Sequence, residues 1–169
     1  DTLPPKSIGT LLLNYDPVRR ADLGFLRDGL GIITTDVEMP LKRISVVATI
    51  EEYFEVTSAF RGDLVDYPKL ELSDENIDFG KFSADQSKFH TISLYNRGVD
   101  VLNIRMIKSN CECVDWDLKK ENISGGDSTI LKIKFDPLNR KGRQFKNLTL
   151  FTNDPLNSTR VISLKAQIP

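Results

Sequence analysis

One histidine, one tryptophan and two cysteines are all that this chain offers among its 169 residues. That scarcity narrows the chemistry at once. A structural zinc site wants about four nitrogen or sulfur ligands, and only Cys111, Cys113 and His90 could supply them. A basic surplus is also missing: 23 Lys and Arg stand against 24 Asp and Glu. Nucleic-acid binding, which leans on such a surplus, is therefore not expected. The longest apolar runs, residues 44–50 and 11–13, fall far short of the ~20 residues of a transmembrane segment. No Gly-x-Ser-x-Gly, phosphate loop or His-Glu-x-x-His is present, so the usual nucleophile, phosphate and zinc-hydrolase signatures are absent. A charged-then-apolar leader is lacking too, and the start at Asp1 reads as the product of either cleavage or cloning. What remains, 40% hydrophobic and 28% charged, is ordinary globular material.

The sequence repeats itself. Asp16-Pro17 falls on Asp136-Pro137, 120 residues on, with Arg20 on Arg140, Leu11 on Leu131 and Leu13 on Ile133. After a two-residue difference in one turn, where insertions are tolerated, the displacement becomes 118 and stays there. Gly24 then meets Gly142, Leu30 meets Leu148 and Ile32 meets Leu150. Thr34-Thr35-Asp36 meets Thr152-Asn153-Asp154, and residues 44–50 meet 162–168. The repeating unit has the size of a domain. Residues 1–50 match its C-terminal half, residues 68–169 carry all of it, and residues 51–67 connect the two. The connector holds Tyr53, Phe54, Val56, Phe60, Leu64 and Val65 among its charges, more apolar groups than a flexible linker needs, and is expected to pack between the modules.

Apolar and polar residues alternate over residues 77–79, 90–96, 101–107, 128–135, 145–152 and 160–166, and turn formers separate these stretches. Residues 8–15, 30–34 and 44–50 give the half-module three strands. With no 3.6-residue periodicity, this pattern predicts an all-β sandwich, of about seven strands for the complete module. Ile77, Phe79, Ile92, Leu94, Leu102, Ile104, Ile130, Ile133, Phe135, Leu148, Leu150, Ile162 and Leu164 are expected to face its core.

Ile77-Asp78-Phe79-Gly80 stands ahead of a strand, Asn96-Arg97-Gly98 at a strand end, and Leu102 to Ile104 in the next strand. After them come Cys111-Glu112-Cys113, Gly125-Gly126-Asp127, Phe135-Asp136-Pro137 and Thr152-Asn153-Asp154. Together these resemble the bacterial immunoglobulin-like domain-of-unknown-function family marked by a Cys-Gly-Cys-Thr motif, whose fold is related to PapD-like, major-sperm-protein and ASH-type domains. The resemblance covers residues 68–169 fully and 3–50 as a partial copy. Glu112 and Val114 stand where the pattern has Gly and Thr. It implies an immunoglobulin-like (PapD/ASH-type) β-sandwich in tandem modules, the first truncated. It also implies an exported protein of a Bacteroidetes-type bacterium, periplasmic or outer-membrane-associated and lipid-anchored in its full-length form.

Cys111 and Cys113 are the sharpest chemical feature. Residues two apart in a strand face the same way, so both sulfurs could meet one soft metal. Their Cα atoms would lie about 6.5 Å apart, at the upper end of disulfide range. Three readings stand: small, partly buried apolar residues at a strand end, a disulfide or redox pair, or a soft-metal site with His90 as a further candidate ligand. Free thiols are the expectation, placed where the 101–107 strand ends beside residues 114–116. Glu112, Asp115, Trp116 and Asp117, with Glu121 nearby, form a candidate surface interaction loop in which Trp116 could stack on a sugar. Gly125-Gly126-Asp127 precedes a strand rather than a helix and reads as a turn. Arg140, Lys141, Arg143 and Lys146 read as a solvated turn.

The function expected is therefore non-catalytic, without a cofactor: a structural or protein-interaction module of a bacterial cell-envelope protein. A thiol, redox or soft-metal module centred on the Cys-x-Cys pair is the alternative, and a carbohydrate-binding or carbohydrate-active domain the third. The partner expected is an envelope protein or the missing first half of module one. Strands of residues 1–50 that bear Leu11, Leu13, Tyr15, Leu30, Ile32, Ile44, Val46 and Ala48 without sandwich partners invite association by strand exchange.

Overall fold

A computed structural model describes residues 2–54 and 67–169, and the chain divides into two compact units, Asp1–Glu51 and Glu52–Pro169. The first unit opens with an extended stretch and one helical turn, α1 (Pro17–Arg20). Asp16 caps that turn, its carboxylate accepting from the N–H groups of Val18 and Arg19 at 3.0 Å each, and Pro17 supplies the φ that a first helical residue needs. Strands β1 (Gly24–Ile33) and β2 (Leu41–Ile50) follow as an antiparallel hairpin.

The second unit is a sandwich of two sheets. One has the order β4 (Asn76–Lys81), β11 (Thr159–Ile168), β10 (Gly142–Thr152), β6 (Leu102–Ser109), β8 (Asn122–Ile123). The other runs β3 (Leu70–Leu72), β5 (Lys88–Asn96), β9 (Ser128–Phe135), β7 (Val114–Leu118). All neighbours are antiparallel except β4 and β11. Alternate residues turn inward, as the period of two demands. Leu94, Leu102, Leu131, Ile133, Leu148, Leu150, Ile162 and Ile168 are all fully buried.

Several residues that carried the family resemblance hold this sandwich together. The buried Asn96 amide accepts through Oδ1 from the N–H groups of Lys69 (3.2 Å) and Gly98 (3.0 Å). Through Nδ2 it donates to the carbonyls of Asp100 (2.7 Å) and Ile123 (2.9 Å). All its bonding capacity is thus used, which is what burial of an amide requires. Gly98 lies so near the backbone that a Cβ there would sit 1.7 Å from the Tyr67 carbonyl oxygen. The Gly125-Gly126-Asp127 turn locks onto the same corner, Asn96 N–H reaching Asp127 O and Gly126 N–H reaching Asn96 O at 3.0 Å each.

The all-β sandwich is as expected, and four details differ. Among the described residues the second unit has nine strands, because β3, β7 and the two-residue β8 are too short to show a period in sequence. Ile130 is exposed and Leu131 buried. Counting back in twos from Phe135 and Ile133 puts Leu131 inside, so Ile130 has to face out. Arg143 and Lys146 lie on β10 rather than in a turn. Residues 8–15 form no strand. Their counterpart β9 is hydrogen-bonded between β5 and β7, whereas residues 8–15 have no such neighbours among the described residues, and an alternating pattern without ladder partners does not become a strand. The expected packing of the connector falls on residues 55–66, outside the described residues.

Candidate functional site

The cysteines lie in the tight turn from β6 to β7. Their Cα atoms are 5.1 Å apart and the sulfurs are bonded to each other. Free thiols were the expectation, and the bridge overturns it. The pair occupies a turn, not an extended strand, so the Cα separation drops into the ordinary disulfide range. The turn is fixed on both sides. Ser109 Oγ accepts from Cys111 N–H (3.1 Å) and donates to Cys111 O (2.9 Å). Asn110 exchanges bonds with Asn147 of β10, Asn110 N–H to Asn147 O at 3.2 Å and Asn147 N–H to Asn110 Oδ1 at 2.9 Å. Asp136 N–H donates to Cys113 O at 2.8 Å. Cys113 is buried in the core and Cys111 half-buried against it. An oxidised pair offers no thiolate to a soft metal. Alkylation of the native chain should label no cysteine before reduction and both afterwards; labelling without reductant would contradict the bridge.

An open cleft beside the bridge is lined by Glu112, Trp116, Lys134 and Asp136 among others. Asp115 lines it as well, so two of the candidate loop's acids share the cleft with the indole, whereas Asp117 does not. On β7, Val114, Trp116 and Leu118 turn toward the core while Asp115 and Asp117 are exposed on the other face. Asp115 stands opposite Lys134 and Asp117 opposite Lys132 on β9, the arrangement of cross-strand charge pairs. His90 sits on β5, edge-on to Phe79 with ring centroids 6.5 Å apart, and its Nε2 is 3.9 Å from an Asp74 carboxylate oxygen. Among the described residues, no three His, Cys, Asp or Glu side chains gather to hold a metal ion.

The more informative surface is the hairpin of the first unit. Its ladder runs from Gly24↔Ile50 to Ile33↔Leu41, and that of β10 and β11 runs from Gly142↔Ile168 to Phe151↔Thr159. Every pair of the first maps onto a pair of the second 118 residues on. Both hairpins start on a left-handed glycine, φ +80° at Gly24 and +74° at Gly142, a conformation that favours glycine.

The connecting turns match as well. Thr34 N–H donates to Pro40 O and Thr152 N–H to Ser158 O, each at 2.7 Å. The Asp36 carboxylate accepts from the N–H groups of Glu38 and Met39, and that of Asp154 from Leu156 and Asn157. Burial is what differs. Leu148, Leu150, Ile162 and Ile168 are fully buried, whereas Leu30, Ile32, Ile44 and Ile50 are only half-buried. Leu11 and Leu13 are 55% and 47% exposed, against 0% for Leu131 and Ile133.

The second Asp154 oxygen shows the same contrast. It takes the N–H of Leu70, in strand β3, at 2.9 Å. Asp36 instead binds the Lys42 ammonium at the surface, and Lys42, followed by the backbone N–H groups, holds its carboxyl below the usual carboxylate range. Sequence alone paired the two aspartates through the repeat but could not show that one of them anchors a distant strand.

Two antiparallel-rich sheets packed face to face, with a stapled turn between β6 and β7, define an all-β, immunoglobulin-like sandwich. More particularly, the model of a family described as protein of unknown function (DUF1573) matches residues 70–168, and the chain belongs to that family. No curated protein matches it. A crystal structure of a protein of unknown function from Porphyromonas gingivalis W83 is similar at 19% identity and a TM-score of 0.66, over 86% of this chain and 66% of that one. The chain thus spans just under two thirds of that relative's length. An ASH/PapD-like domain of human CEP192 is similar at 15% identity with a TM-score of 0.43, covering 60% of this chain and 85% of that one. For the E. coli chaperone DraB the figures are 13% identity, a TM-score of 0.42, and coverage of 60% and 56%. Among the described residues, no helix is long and apolar enough to cross a membrane.

Proposed function

We propose that this chain is a non-catalytic, structural or protein-interaction element of a bacterial cell-envelope protein, located in the periplasm or at the outer membrane. It is built of tandem immunoglobulin-like modules: residues 1–50 are the C-terminal half of one, residues 51–67 a connection, and residues 68–169 a complete copy. One observation carries the reading. Hairpins of identical register are buried to different extents, so the first presents apolar side chains that its twin keeps dry. Such a surface marks an interaction site. Motif residues Asn96, Gly98, Asp127 and Asp154 are all engaged in holding the sandwich together, which leaves little for catalysis. Export is supported by the resemblance to envelope proteins and by a disulfide, a bond that persists in oxidising compartments.

A photoreactive side chain tests the interaction. Placed at Ile32 in the bacterium of origin, it should trap a discrete polypeptide in the envelope fraction. Placed at Asp117, on the solvated face of β7, it should not. Equal results from the two positions would contradict the reading.

A further inference from the structure

We infer that β1 and β2 are a docking site for two β-strands of another polypeptide segment, outside residues 1–169. One strand adds antiparallel to the free edge of β1 and one parallel to the free edge of β2. This inference rests on the modular interaction reading and names the partner's chemistry. The occupant can be read from the second hairpin. There, β6 runs antiparallel along β10, from Leu148↔Ser109 to Phe151↔Met106. On the far side, β4 runs parallel along β11, from Ser163↔Asn76 to Lys165↔Asp78. Carried over 118 residues, these registers put an antiparallel strand along Leu30, Gly31, Ile32 and Ile33, and a parallel one along Ser45, Val46 and Val47.

Among the described residues no strand pairs with either edge, since β1 and β2 form a sheet of two, and a two-stranded hairpin alone is marginal in water. The face of β1 is open at the end of that register. A Cβ added at Gly29 meets nothing within 4 Å, and its counterpart Asn147 is the residue that exchanges bonds with Asn110. Glycine inside a strand is common where another backbone comes close. The turn also awaits a partner. Asp36 has its twin's two turn bonds, but the oxygen that Asp154 gives to an N–H of β3 is held by Lys42.

The occupant is therefore a segment with the chemistry of residues 68–122: short strands alternating apolar residues every second position, as Leu102 and Ile104 do on β6 and Ile77 on β4. A second copy of this chain does not meet the need. Each copy carries one such segment against two hairpins, so exchange among copies always leaves one hairpin per chain uncovered.

The test places a duplicate of residues 68–122 directly ahead of Leu3, the counterpart of Ile123, on the full chain, and follows amide hydrogen exchange. Amides of residues 30–33 and 45–47 should slow by on the order of 100-fold relative to the parent chain, as local opening gives way to cooperative opening. The same fusion with Ile104→Asp in the duplicate should lose that protection, while residues 148–151 stay protected in both. Unchanged exchange in the fusion would overturn the inference. So would parent-chain protection that light scattering traces to a dimer. In either case the Ile32 photo-crosslink decides separately whether the broader interaction reading survives.

Discussion

Leu148→Asp should leave the second unit unfolded at room temperature. Leu148 is fully buried on β10, which has β11 on one side and β6 on the other. A carboxylate there has no water and no partner. Such a burial costs on the order of 4–5 kcal/mol or more, comparable with the whole ~5–15 kcal/mol that keeps a domain folded. Leu30→Asp, at the equivalent place on β1, should leave the urea midpoint of the second unit unchanged, because Leu30 is only half-buried and belongs to the other unit. Trp116 lies within the second unit and packs against its core, so its fluorescence reports the transition. A folded Leu148→Asp variant with a wild-type midpoint would refute the strand assignment.

Asp154→Ala should be nearly as damaging, although it removes no apolar contact. The Asp154 side chain accepts from the N–H groups of Leu70 (2.9 Å), Leu156 (3.0 Å) and Asn157 (3.1 Å), and the residue is fully buried. Its loss orphans those donors and frees the end of β3. A cost of about 2–4 kcal/mol follows from unsatisfied buried groups. Asp154→Asn should recover part of this, since its amide oxygen can still accept. Asp36→Ala should not shift the second unit's transition. Equal destabilisation of that transition by both alanine variants would show that the two aspartates are not the anchored and unanchored versions of one motif.

Alternation and the 118-residue displacement were enough to find the strands of both hairpins and most of the core, because a period of two and a repeated turn are properties of the chain itself. What escaped depended on neighbours. Residues 8–15 alternate as well as β9 does, yet form no strand, since a strand exists only beside another. Ile130 and Leu131 are adjacent apolar residues, and only the ladder through Phe135 shows which one faces in. The disulfide escaped because a Cys-x-Cys in a turn brings its Cα atoms closer than one in a strand. Asp154 looked like a turn former; its bond to Leu70 spans the sandwich and leaves no mark in local sequence.

The central claim is that two hairpins of one design differ only in what covers them, and amide hydrogen exchange of the intact chain tests it most directly. Amides of Gly142–Thr152 should exchange only through cooperative unfolding of the second unit. Those of Gly24–Ile33 that point to the free edge should exchange through local opening, on the order of 100-fold faster or more. Equal, unfolding-limited protection of β1 and β10 in a monomeric chain would contradict the account, because the first hairpin would then need no partner.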